Sequence, residues 1–249
     1  MRKGFVMNNK FDFKRFKQVV VEDWRLYFRR FGITLTVWTC LPIVIWITSL
    51  VFGIEVDPSP RGGLIFAFIF ATVMTVPAHV YGKANLSRDG VSFAMLPATG
   101  TEKFLSMVLY CSIITPLFCG LGAWAVDSLL TLLPFGGFKE FFVPFKVEYL
   151  GYNLLVTAML FFTESSLFML GNMIFKKRKT GKTFAWILLI LFVITLIIQI
   201  PFLYDGLDHL MENLNKTPKI AYWSGIAFLL VLTTCFNLLT YRRIKNQKY

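Results

Sequence analysis

Residues Gly32–Gly53 read GITLTVWTCLPIVIWITSLVFG, 22 residues without one charged side chain. A helix of about 20 residues is roughly 30 Å long, the thickness of the hydrocarbon layer of a bilayer. Backbone amides find no water there, so the segment is expected to be a helix that satisfies them internally. Five further runs share this character: Gly63–Gly82, Phe104–Val126, Leu150–Phe175, Phe184–Leu203 and Ile220–Tyr241. The whole chain of 249 residues agrees, at 56% hydrophobic, 27 Phe and only 16% charged residues, with a mean hydropathy of +0.61. A water-soluble fold of this size has too little interior for that much apolar surface. The expected fold is therefore all-α, a polytopic membrane protein with six transmembrane helices. Pro42, Pro77 and Pro116 fall inside three of the runs and are expected to kink them.

Charge sets the expected orientation. With six spans both termini share a side, and that side carries 21 of the 26 Lys and Arg residues. The opposite side has Arg61, Lys139, Lys146, Lys216 and Lys219. Basic residues collect on the cytoplasmic side of membrane proteins, so both termini are expected to be cytoplasmic. The net charge of +12 then reflects orientation in a membrane, and no nucleic-acid partner is expected. The domains follow as a segment at 1–31, a transmembrane domain at 32–241 and a basic cytoplasmic tail at 242–249. Residues 1–31 are charged throughout and lack the apolar core of a cleavable signal.

Within 1–31, Phe13, Phe16, Val20, Trp24, Tyr27 and Phe31 recur at steps of three and four, with Lys14, Lys17, Arg25 and Arg29 on other faces. That pattern is an amphipathic helix fitted to the headgroup plane. It serves either as a membrane anchor or as an elbow that also touches a cytoplasmic partner.

The segment between the second and third runs holds SFAMLPATGTEKFLSMVLY, Ser92–Tyr110. Pro97 stops any helix before it, and Thr99 followed by Glu102 has the spacing of a capping box. A third helix is expected to start at Gly100. The loop has room for a short helix near 86–96 with Val91, Phe93, Met95 and Leu96 apolar. Such a patch lies on the membrane or docks on a protein. Further on, Gly181-Lys182-Thr183 repeats the end of a phosphate-binding loop. The position five residues earlier, however, is Lys176 where that loop needs Gly. No nucleotide site is expected, and the basic run is read as an anchor near acidic lipid.

Polar residues inside the spans are few. Glu164, within FFTESSLF, is expected to face the bundle interior. It serves a substrate or proton path, with Ser165 and Asn172 on the same helix, or it makes a helix–helix hydrogen bond. Asn153, Asn172, Gln199 and Asn237 are expected to bridge helices, and His79 to sit at an interface. The four cysteines lie within spans without metal-ligand spacing and are read as packing residues. With two His and no hydrolase or zinc-protease motif, no catalysis, metal or cofactor is expected.

A basic amphipathic helix, six spans with both ends inside, and LPATGTEKFL opening the third span together resemble the membrane subunits of type-2 ATP-binding-cassette exporters, of a Bacteroidetes-like bacterial kind. The resemblance implies a permease subunit in the bacterial inner membrane with no nucleotide site of its own. Its implied partners are a cytoplasmic ATPase subunit and a second copy or a homologous permease, in contact with membrane lipid. In that family the loop between spans two and three docks on the ATPase. That implies contacts at Phe93, Met95, Leu96, Glu102 and Lys103, with Trp24, Arg25, Arg29 and Arg30 added by the elbow. A non-transporting membrane protein for assembly, sensing or immunity is the other reading these residues allow.

Overall fold

The computed structural model describes residues 11–84, 93, 95–133, 135–141, 147–198 and 218–246, with backbone alone at 147–154, 194–198 and 218–221. The described residues are helical and contain no strand. The short helix expected near 86–96, except Phe93, Met95 and Leu96, lies outside them, as does the loop at 204–217.

Helix α1 runs Phe13–Thr39. Asp12 caps it, its carboxylate accepting from the Lys14 amide at 2.9 Å. The helix passes Gly32 unbroken, so the amphipathic segment and the start of the first apolar run form one continuous element. The interruption falls at Cys40, and α2 follows at Leu41–Phe52 with Pro42 in its first turn. A proline there lacks only an amide that a helix start leaves unpaired anyway. Gly53, at φ 63°, ends α2 in the left-handed conformation.

Helix α3 spans Pro58–Val80 and carries Pro77 in its last turn. Helix α4, Gly100–Val108, starts on the capping box. The Thr99 hydroxyl accepts from the Glu102 amide, and the Glu102 carboxylate accepts from the Thr99 amide. Its end passes into a π-helical segment at Leu109–Ile114 and then into α5, Thr115–Thr131. Pro116 explains the widened turn. It has no amide to donate to the Ser112 carbonyl, and its ring would crowd that carbonyl in an α-helix. The Thr115 amide instead reaches back five residues to the Tyr110 carbonyl. The chain continues through α6 (Val147–Ile174), α7 (Lys179–Ile198) and α8 (Pro218–Lys245).

The interior is built where α1, α3, α4, α5 and α6 meet, around Tyr27, Phe31, Val73, Val76, Met107 and Met169, all at 0% exposure. The buried stripe of α1 is Val19, Asp23, Tyr27, Phe31 and Leu35, a strict four-residue repeat. It departs from the aromatic stripe in the sequence. Phe13 and Trp24 are 70% and 45% exposed, because the core-facing row tracks the hydrogen bonds of Asp23. Helix α8 packs most extensively on α6, where the hydroxyls of Thr163 and Thr233 meet at 2.7 Å. On α7, Leu188, Leu189, Ile190, Leu191 and Phe192 are each more than half exposed. Five apolar side chains in succession cover every direction around a helix, which suits lipid and not water.

Among the described residues, five helical stretches are long and apolar enough to cross a membrane: Phe13–Phe52, Pro58–Val80, Gly100–Thr131, Leu155–Ile174 and Tyr222–Lys245. By length and composition they fit a multi-pass membrane protein. The run expected at 184–203 is helical as far as Ile198.

Candidate functional site

The bundle has two polar ends. At one, the chain leaves α3 through Val80, Tyr81 and Gly82, whose carbonyls lie past the ladder of the helix; that of Tyr81 also accepts from the Ala84 amide at 3.0 Å. Each receives a donor from a different helix. Arg30 Nη1 of α1 donates to the Val80 carbonyl at 2.6 Å. Asn172 Nδ2 of α6 donates to the Tyr81 carbonyl at 3.2 Å. Lys179 Nζ of α7 donates to the Gly82 carbonyl at 2.7 Å and to the Asn172 carbonyl at 3.0 Å. Two cations at a helix C-terminus also offset its negative dipole end. Gly82 is required here, since a Cβ would stand 1.9 Å from the Ala78 carbonyl oxygen.

The Tyr81 side chain continues the network inward. Its hydroxyl donates to the Asp23 carboxylate at 3.0 Å, and Ser106 Oγ donates to the same oxygen at 2.5 Å. Asp23 is 2% exposed. A carboxylate that deep is tolerable only with such donors. Tyr110 of the π segment adds a hydrogen bond to the Val20 carbonyl at 2.6 Å.

The other end of the loop is held as firmly. Lys103 Nζ donates to the Phe93 carbonyl at 2.6 Å and lies 5.2 Å from the centre of the Phe93 ring. Glu102 accepts from the Asp12 amide at 2.9 Å and from the Thr99 amide at 2.8 Å, and pairs with Arg15 at 3.2 Å. Helices α1, α4, α6 and α7 thus clamp both ends of the segment joining α3 to α4.

These contacts place the residues that the sequence marked for an outside partner. Glu102 and Lys103 are buried, at 0% and 7% exposure, with their charges turned inward. Phe93 and Leu96 are half-buried, and Met95 is 77% exposed. Trp24, Arg25 and Arg29 are exposed on α1, with Arg25 paired to Glu22 at 3.2 Å. Arg30 belongs to the clamp. Of the residues marked for a partner, Met95 and those on the outer face of α1 are the exposed ones.

The three residues marked for a path lie apart. Ser165 hydrogen-bonds Ser112 of the π segment. Asn172, eight residues beyond Glu164 and so about 12 Å along the helix, belongs to the clamp. Glu164 is 7% exposed, and both its carboxylate oxygens are without a hydrogen-bond partner among the described residues. Of the expected helix bridges, Asn237 leaves its side-chain oxygen unpartnered. Asn153 and Gln199 have no described side chain. His79 is exposed beside Phe31, its ring nitrogen bonded to the Thr75 carbonyl.

At the opposite end Arg61 is wholly buried. It pairs with Asp127 at 3.3 Å, donates to the Glu140 carbonyl, and stacks 4.0 Å from the Phe138 ring centre. The loop after α5 is fixed there, with the Gly137 amide on Ser49 Oγ at 3.2 Å and the Val56 amide on the Gly137 carbonyl at 2.9 Å.

Sequence reasoning passed over Asp23 and Asp127. Asp23 had a signal, since it stands four residues from both Val19 and Tyr27 on the buried row. Asp127 lies one residue past an apolar run, where an acid reads as a loop residue. Among the described residues no three His, Cys, Asp or Glu side chains gather closely enough to hold a metal ion. Cys111 and Cys119 are buried free thiols. Compared with protein-family models, curated proteins and solved structures, the chain matches none.

Proposed function

We propose that this chain is the membrane-spanning permease subunit of an ATP-binding-cassette exporter. It crosses a bacterial inner membrane six times with both termini in the cytoplasm. Two copies, or one copy and a homologous subunit, enclose the path, and a separate cytoplasmic ATPase supplies the work. The chain carries no reaction of its own.

One observation carries this reading. The loop between α3 and α4 is joined by buried and half-buried polar contacts to four helices, through Asp23, Lys103, Asn172 and Lys179. Near the exposed Met95, Phe93 is bonded to α4 through Lys103, and the start of the loop at Tyr81 and Gly82 is bonded to α1, α6 and α7. A plain surface turn needs no such bracing, whereas a lever does. Glu164 supports the reading as a second feature, because an acid kept in the interior without a partner opposes folding and points to use.

Affinity purification of the full chain from its native host in mild detergent tests the proposal. A cassette-type ATPase is expected to co-elute in near-equal amount, and Met95→Asp is expected to release it while the permease stays folded. Recovery of the chain without any ATPase, or an ATPase that ignores Met95→Asp, overturns the docking scheme and leaves a non-transporting membrane protein.

A further inference from the structure

Beside the clamp lies a cavity of about 520 Å³, open to the outside, that the transport reading does not use. Arg30, His79, Lys83, Lys176, Arg178 and Lys179 line it, together with Ala78 and Gly82 and no acidic side chain. Five cations around one space repel each other, and an anion among them removes that repulsion. Arg178 is also the one non-glycine residue with positive φ among the described residues, at 50°. That backbone is unfavourable for a side-chain-bearing residue, and here it lies in the short link between α6 and α7 at the cavity wall.

The site sits at the level where the apolar runs stop. It joins the end of α3, the α6–α7 link and α1. From Arg30, the same face of α1 continues through Ile33 and Val37, which are 84% and 62% exposed. An exposed apolar strip on α1 thus starts one turn beyond Arg30, at the wall of the charged chamber. We infer that this cavity binds the phosphate headgroup of an acidic phospholipid, whose acyl chains lie along Ile33 and Val37. A free phosphate or a soluble anion would satisfy the cations and leave the apolar strip without a purpose. The inference needs the basic end to lie at a membrane surface and does not depend on transport.

The test uses the full chain in nanodiscs of phosphatidylcholine containing phosphatidylglycerol, with retained lipid counted by native mass spectrometry. The wild-type chain is expected to hold phosphatidylglycerol selectively. The variant Lys176→Gln/Arg178→Asn removes two exposed cations, and Asn tolerates the left-handed backbone. Its selectivity is expected to drop about tenfold. The variant Lys14→Gln/Lys17→Gln removes two cations elsewhere on the basic surface and is expected to keep the preference. Equal loss in both variants, or no preference in the wild type, overturns a built site. Displacement of the lipid by millimolar inorganic phosphate overturns the lipid as its occupant.

Discussion

Among the described residues nothing hydrogen-bonds Glu164. Its neighbour Ser165 finds Ser112, and Thr163 finds Thr233, but both oxygens of the carboxyl stay unpartnered. An interior polar group without a partner costs about 1–3 kcal/mol. Replacing it with an apolar side chain of similar size removes that cost. Glu164→Leu is therefore expected to raise the melting temperature of the detergent-solubilised chain. Transport in reconstituted vesicles is expected to fall in the same variant. A lower melting temperature would mean that the carboxyl has a structural partner, and unchanged transport would remove it from the path. At this scale the sequence was legible in part. Thr99 and Glu102 could be recognised as a cap because the box is local, three residues apart. The further bonds of Glu102 to Asp12 and Arg15 span about ninety positions and depend on how helices pack, which no local spacing encodes. For the same reason Glu102 and Lys103, charged and next to a loop, read as surface residues and are interior ones.

Among the elements, the three prolines were visible and their effects were not uniform. Pro42 accompanies a full break after Thr39, Pro77 remains within α3, and Pro116 follows a π-helical turn. The outcome depends on what surrounds the freed carbonyl. Beside Pro116, the Thr115 hydroxyl donates to the Tyr110 carbonyl at 2.7 Å and accepts from the Tyr27 hydroxyl at 3.0 Å, and these bonds fix the widened turn. Pro116→Ala restores the missing amide and allows α-helical spacing, which rotates Ser112 by about 100° relative to α5. A Ser112→Cys/Ser165→Cys pair is expected to cross-link in the native background and to lose most of that cross-link when Pro116→Ala is added. Equal cross-linking in both backgrounds would show that the turn does not depend on the proline. The continuity of α1 through Gly32 has a related cause. A glycine weakens a helix by about 1 kcal/mol, less than the packing of Tyr27, Phe31 and Leu35 on either side contributes.

For the whole molecule, apolar runs indicated membrane helices because lipid imposes a length and a composition that survive any detail of packing. Pairings between helices were not legible, since the apolar residues that face lipid and those that face the interior are of the same kinds. The exposed Leu188–Phe192 run and the buried Val73 and Val76 are apolar alike as letters. Orientation is testable directly. With an impermeant maleimide on intact cells, Lys139→Cys is expected to label at once and Met95→Cys only after permeabilisation. Both sites are exposed, and the reverse pattern would turn the proposed topology over.

The first turn of α4 touches both ends of the described chain. Glu102 receives the amide of Asp12, while Gly100 faces Lys245 and Thr101 meets the Tyr241 hydroxyl at 3.4 Å. During synthesis this turn emerges when the partner from the beginning has long been waiting and the partner from the end does not yet exist. The bundle is thus finished only once α8 has been made, and a truncation that removes α8 but spares every earlier helix still leaves its keystone unmet.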